Sequence, residues 1–382
     1  MTVFATSLRK AAFAAACALS FGLAGAADAQ NLQIGANFPL SGPNGSYGDI
    51  FMSGTNLAVE HANADKMING KLSITYEDSQ GTPQRGVISM NKLVNVDKVP
   101  YVLSSFTGVL KATAPIGART KTPILNGSGI APDLADLGSY FWSVIPLVNF
   151  EVQAMLPYLV KERKLKRFVL VYVDETVGQA VRKQMETSLP GLGAELVEAI
   201  SIPATQQQFS SIAAKAREAK PDVIYIASWG AQQVQIVKQM RDNGVQQQLA
   251  SFSAFAMPEL EVLPEAKGTL YTTQSVNWAA KDPVTQRYVQ DFKTKNGGKM
   301  PTVYSANFYN AVRLFALLAH DLQKKGKPVT GENLLAQRDE TKAFDMVGGR
   351  MEFQANGTVA MPIQVNEYDG KTSKMIQVLP AH

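Results

Sequence analysis

The stretch Ile34-Gly-Ala-Asn-Phe-Pro-Leu-Ser-Gly-Pro-Asn-Gly-Ser-Tyr-Gly48 runs from apolar residues into a loop rich in Gly, Pro, Asn and Ser. It reads as a strand leaving the mouth of an α/β sheet, and the pattern from Gly48 to Ala64 predicts the helix that follows. Upstream, Arg9 and Lys10 precede an apolar run from Ala11 to Ala26 and the small-residue site Ala27-Asp-Ala29. Residues 1–29 thus read as an export leader that is removed.

Beyond the leader, short apolar runs alternate with helical patterns, which predicts parallel sheets built from βαβ units. The strands are read at Leu32–Ala36, Leu72–Glu77, Tyr101–Ser104, Pro123–Leu125, Phe168–Val173, Glu195–Ile200 and Val223–Ala227. The intervening helices are read at Gly48–Ala64, Gly86–Val96, Val109–Arg119, Glu151–Arg163, Gly178–Leu189, Ser210–Ala219 and Ala231–Asn243. These form two blocks that break near Ile145-Pro146. The tail differs: a long apolar helix, Asn307–Leu322, then short strands at Met351–Phe353 and Ile363–Glu367. Turns at Asn356-Gly357 and Asp369-Gly370 fit hairpin chemistry. The triplets beginning at Asn44, Asn126 and Asn356 match a glycosylation pattern but read better as turn asparagines.

Composition narrows the function. The formal charge is +5 with basic residues scattered along the chain, which argues against a nucleic-acid surface. The one cysteine, Cys17, lies inside the leader, preceded by Ala14-Ala-Ala16 rather than a lipidation box. The mature chain therefore offers no thiol, disulfide or cysteine-based metal site. Its three histidines are His61 and His320 in helical stretches and His382 at the end. None stands in a nucleophile–base or metal-ligand arrangement. Glu77-Asp78 closes a strand with side chains on opposite faces and makes no acid/base dyad. No enzyme, cofactor or metal is expected, and export points to capture of a solute.

A set of marks distributed along the chain then resembles the leucine/isoleucine/valine-binding type of periplasmic solute receptor of ABC importers. They are Phe38-Pro-Leu-Ser-Gly-Pro43, Tyr47-Gly48, Ala58-Val-Glu60, Glu77-Asp-Ser-Gln-Gly81, Ala114-Pro-Ile116, Trp229-Gly230, Tyr271-Thr272 and Tyr304 with Tyr309-Asn-Ala311. The resemblance implies two doubly wound lobes joined by three crossings, residues 30–145 with 278–348 and 146–277 with 349–382. It also implies a monomer that closes by a hinge on a small-molecule ligand in the cleft and presents it to a membrane permease.

In amino-acid-binding members, hydroxyls and backbone amides after two strands hold the ligand carboxylate. The matching loops are Ser105, Phe106, Thr107 and Gly108, and Gly127, Ser128 and Gly129, each opening toward a helix whose N-terminus favours an anion. Phe106 and Ile130 stand where that pattern has serine and threonine. The larger departure is Ser253, where such receptors carry an acid for the ligand ammonium. No Asp or Glu lies between Asp242 and Glu259. An ammonium buried unpaired costs roughly 3–5 kcal/mol, so at least a hundredfold exclusion of leucine is expected. Tyr47, Trp229, Tyr304 and Phe255 would supply aromatic walls, with Val177 replacing a tyrosine and Trp142, Phe252 and Trp278 as further aromatics near the lobes' meeting. The expected ligand is an aromatic acid of benzoate, phenylpropenoate or arylglyoxylate type. The alternatives are an amino-acid receptor and a sensory binding protein.

Overall fold

The computed structural model describes residues 31–380, so the leader expected at 1–29 lies outside the described residues. The first half runs β1 (Leu32–Phe38), α1 (Gly45–Ala64), β2 (Leu72–Asp78), α2 (Pro83–Asn91, continued by a π-turn to Val96), β3 (Val102–Ser104), α3 (Thr107–Thr120), β4 (Ile124–Asn126) and β5 (Phe141–Ser143). These strands make an all-parallel sheet in the order β2-β1-β3-β4-β5. Strands β1, β3 and β4 are almost wholly buried, as parallel strands covered on both faces must be.

The second half runs α4 (Val148–Pro157, continued by a π-turn to Glu162), β6 (Arg167–Val173), α5 (Thr176–Ser188), β7 (Glu195–Ile202), α6 (Ser210–Glu218), β8 (Val223–Ala227), α7 (Gly230–Asp242), β9 (Gln248–Ser251), α8 (Pro258–Glu261) and β10 (Leu270–Gln274). The chain then makes α9 (Pro283–Lys295), α10 (Val303–Lys324), α11 (Gly331–Thr341), β11 (Ala343–Met346), β12 (Gly349–Glu352), β13 (Ile363–Tyr368) and β14 (Ser373–Leu379). The second sheet has the order β14-β13-β10-β9-β8-β6-β7. It is parallel except for β13 and β14, which form an antiparallel hairpin beside β10, turning at Asp369-Gly370 as expected.

The tail helix α10 is longer than the expected Asn307–Leu322 because a Thr302–Ser305 capping box starts it earlier. It packs along α1, crossing where Gly54 meets the Ser305 carbonyl; a Cβ there would lie 1.9 Å from that oxygen. Two turn asparagines act as expected: Asn126 Oδ1 accepts from the Ser128 and Gly129 amides, and Asn356 Oδ1 from the Thr358 amide.

The third crossing is expected after Gly348. That residue lies in the turn of the β11–β12 ribbon, which pairs Phe344 with Met351 and rests on α9 and α10. The Ser143 amide also donates to the Gly357 carbonyl, holding this segment to the edge of the first sheet. We therefore propose that residues 349–359 belong with the first lobe and that the chain crosses just before β13.

Candidate functional site

Both sheets direct the C-terminal ends of their parallel strands toward the space between the lobes, where open α/β sheets take ligands. On the first lobe, β3 ends at Ser104, and Ser105 and Phe106 lead into α3. Phe106 holds φ at +61°, a region disfavoured for residues with a Cβ, and so aims the turn into the helix. Ser105 is fully buried, and its hydroxyl has no hydrogen-bond partner among the described residues. It stands beside Thr107 and Gly108, in the first turn of a 14-residue helix whose leading amides lack intrahelical acceptors.

The second loop behaves differently from the expected anion cradle. The Ser128 and Gly129 amides are committed to Asn126 Oδ1 at 3.1 and 2.7 Å, and the Gly127 carbonyl accepts from Asn307 Nδ2 at 2.9 Å. Asn126 closes a side-chain turn that takes up these donors. The loop braces its neighbour instead: Ser128 Oγ accepts from the Phe106 amide at 3.3 Å, and Thr107 Oγ1 from the Ala131 amide at 3.4 Å.

Above the first loop stands an aromatic cluster. The Tyr47 ring meets Phe106 at 5.3 Å and Tyr304 at 5.6 Å, both edge-to-face, with Phe51 behind them. Burial pushes the Tyr47 phenol well above its ordinary range, partly offset by the Gly230 amide donating to it across the cleft. Gly230 has φ +58° and faces Asn44 and Tyr47. Trp229, half-buried, caps α7 next to it. Pro43 and Ser46 from one side and Gly230, Val234, Met257 and Glu259 from the other line a pocket of about 300 Å³ at this mouth.

Other aromatics lie apart from this cluster. Trp142 is a core residue, 5.8 Å from Tyr101 with the Arg338 guanidinium 4.7 Å over its ring. Trp278 stacks on Tyr288 and lines a surface groove with Val289 and Lys293. Phe252 and Phe255 are fully buried, Phe255 against Tyr271 at 4.8 Å. Val177 is buried in the first turn of α5.

The expectation that no acid attends Ser253 is corrected by Glu151. This α4 residue, 1% exposed, accepts from the Ser253 amide at 2.8 Å, Ser253 Oγ at 2.7 Å and Thr272 Oγ1 at 3.1 Å. The acid reaches the site through space, from 102 residues earlier in the chain, so scanning the β9 loop could not find it. The available signal was its place on the helix: Glu151 shares the buried stripe of Val148, Val152 and Met155. Burial pushes its carboxyl up to about 7 despite the three donors. Tyr225 lies within its field, fully buried, with a hydroxyl that has no partner among the described residues. Ser253 also bridges the lobes, its carbonyl accepting from the Tyr304 hydroxyl at 3.1 Å.

Two α/β lobes, one with an all-parallel sheet and one with a mixed sheet, thus meet over polar and aromatic residues. The sequence profile of the periplasmic binding protein family matches residues 31–373, and the chain belongs to that family. It is 23% identical to "Leu/Ile/Val-binding protein homolog 3" of Brucella melitensis over 353 residues, covering 91% of this chain and 93% of that one. Among solved structures, it matches the branched-chain amino acid transporter substrate-binding protein LivJ of Streptococcus pneumoniae, in complex with isoleucine. The TM-score is 0.84 at 19% identity, over 92% of this chain and 100% of that one. It also matches an ABC transporter solute-binding protein of R. palustris in complex with benzoate, at TM-score 0.82 and 18% identity, over 92% of this chain and 98% of that one.

Proposed function

We propose that this chain is the periplasmic receptor of an ABC importer, and that it captures a small carboxylate with an aromatic body by lobe closure. The observation that carries this reading is the buried Ser105 hydroxyl just before α3, which has no partner among the described residues and lies beside the Tyr47–Phe106–Tyr304 cluster. A buried hydroxyl left unsatisfied costs about 1–3 kcal/mol, and a ligand carboxylate would satisfy it together with the first amides of α3. The three rings would form apolar walls, with Trp229 at the rim. Ser128 and Thr107 then act by fixing the loop, while Phe255 and Val177 act through packing. The reading is of a binder rather than an enzyme, working as a monomer with a membrane permease as its partner. The benzoate complex of the R. palustris protein makes aromatic acids reasonable ligands for this fold.

A second reading, a branched-chain amino-acid receptor, is favoured by one observation: Glu151 places a carboxylate at Ser253 after all. The isoleucine complex of LivJ is in keeping with it. A thermal-shift screen of the mature protein against aromatic acids and amino acids separates the two. Stabilisation by aromatic acids supports the first reading; a response confined to leucine, isoleucine and valine replaces it with the second.

A further inference from the structure

We propose that Glu151 receives a hydrogen-bond donor on the ligand, so that the receptor selects carboxylates that also carry a hydroxyl or an ammonium. The proposal rests on the carboxylate reading above and names the second pole of the same site.

A carboxylate has about four acceptor positions, and three donors reach Glu151: two on Oε2 and one on Oε1. Oε1 thus has an acceptor position with no donor among the described residues. None of the ion pairs among the described residues includes Glu151. A buried carboxylate without a cation or a full set of donors is costly, and its upward shift shows that Ser253 and Thr272 do not fully offset burial. The Tyr225 hydroxyl is also buried, has no partner among the described residues, and feels the charge of Glu151. A ligand hydroxyl could donate to Glu151 and accept from Tyr225, and a ligand ammonium could donate to both.

The position suits this role. Ser253, which holds Glu151, also accepts from Tyr304, and the Tyr304 ring lies edge-on to Tyr47. Tyr47 in turn meets Phe106, next to Ser105. The rings therefore link an anion-accepting pole at Ser105 with an acidic pole at Glu151. A molecule filling this cleft needs a carboxylate for one and a donor for the other.

The test is calorimetric titration of the wild-type, Glu151→Gln and Tyr225→Phe proteins with benzoate, 4-hydroxybenzoate and leucine. In the wild type, at least one donor-bearing ligand should bind about tenfold tighter than benzoate, as one charge-assisted hydrogen bond implies. Which ligand shows the gain tells a hydroxyl from an ammonium. Glu151→Gln should bring that ratio to near unity, and Tyr225→Phe should reduce it several-fold without disturbing Ser253. If Glu151 only positions the Ser253 loop, Glu151→Gln weakens all ligands alike and keeps the ratio, which overturns the proposal. A ratio of one in the wild type, or one unmoved by Tyr225→Phe when Glu151→Gln does not fold, also overturns it. Aromatic and amino acids that all fail to bind would overturn the carboxylate reading as well.

Discussion

The Tyr304 hydroxyl donates to the Ser253 carbonyl at 3.1 Å, tying α10 of the first lobe to the β9 loop of the second. The Gly230 amide and the Tyr47 phenol make a parallel link nearer the mouth. Both links run between the lobes, so they hold the lobes to each other and add nothing to either lobe by itself.

Replacing Tyr304 by Phe keeps the ring against Tyr47 and removes the bridge. Ligand affinity should fall about fivefold, the effect of one net hydrogen bond of about 1 kcal/mol. The ligand-free melting temperature should change little. Titration calorimetry with a bound aromatic acid reads the first and a thermal melt the second; an unchanged affinity would mean that closure does not use this contact.

Ser105→Ala should separate binding from folding even more clearly. Its hydroxyl has no partner among the described residues, so its loss should leave stability within about 0.5 kcal/mol of the wild type, or raise it. Carboxylate affinity should drop about tenfold. Ser253→Ala should do the reverse in denaturant titrations, because it strips a donor from buried Glu151 and lowers stability by about 1–3 kcal/mol.

Gly230→Ala tests the mouth. A Cβ there would sit 3.4 Å from Asn44 Oδ1 and 3.8 Å from Tyr47, space enough, but on a backbone with φ +58°. The left-handed conformation alone should reduce stability by about 1–2 kcal/mol, measured by urea unfolding. An unchanged midpoint would show that the loop relaxes into another conformation.

Glu151 gives the protein a definite pH response. Its carboxyl is lifted from the ordinary 4.5 to about 7 in the folded state. The folded protein therefore holds a proton that the unfolded chain releases, and stability falls as pH rises through that window, by roughly 3 kcal/mol for this group. The difference in unfolding free energy between wild type and Glu151→Gln, followed from pH 4.5 to 8, should drift against the wild type. A constant difference would mean that Glu151 is ionised throughout.

The long apolar strands and their helices were legible because fully buried parallel strands are continuous hydrophobic runs, as in Phe168–Val173 and Val223–Ala227. The strands β9 and β10 were not. Their Ser251, Thr272, Thr273 and Gln274 are buried polar residues that make hydrogen bonds inside the protein. β5, a three-residue strand at the edge of the first sheet, was missed as well. Of the residues expected at the site, Tyr47, Phe106 and Tyr304 come together in the structure. Glu151 was missed because its partners Ser253 and Thr272 lie more than a hundred residues away, and only tertiary packing joins them.

Closure of this cleft on an aromatic carboxylate can be measured in solution. Titration calorimetry of the mature protein with benzoate, 4-hydroxybenzoate and leucine, paired with small-angle scattering at saturation, tests it most directly. An aromatic acid should bind with micromolar or tighter affinity, leucine should bind more weakly, and the aromatic complex should have a smaller radius of gyration than the free protein. Tight leucine binding with no heat from either aromatic acid would contradict it.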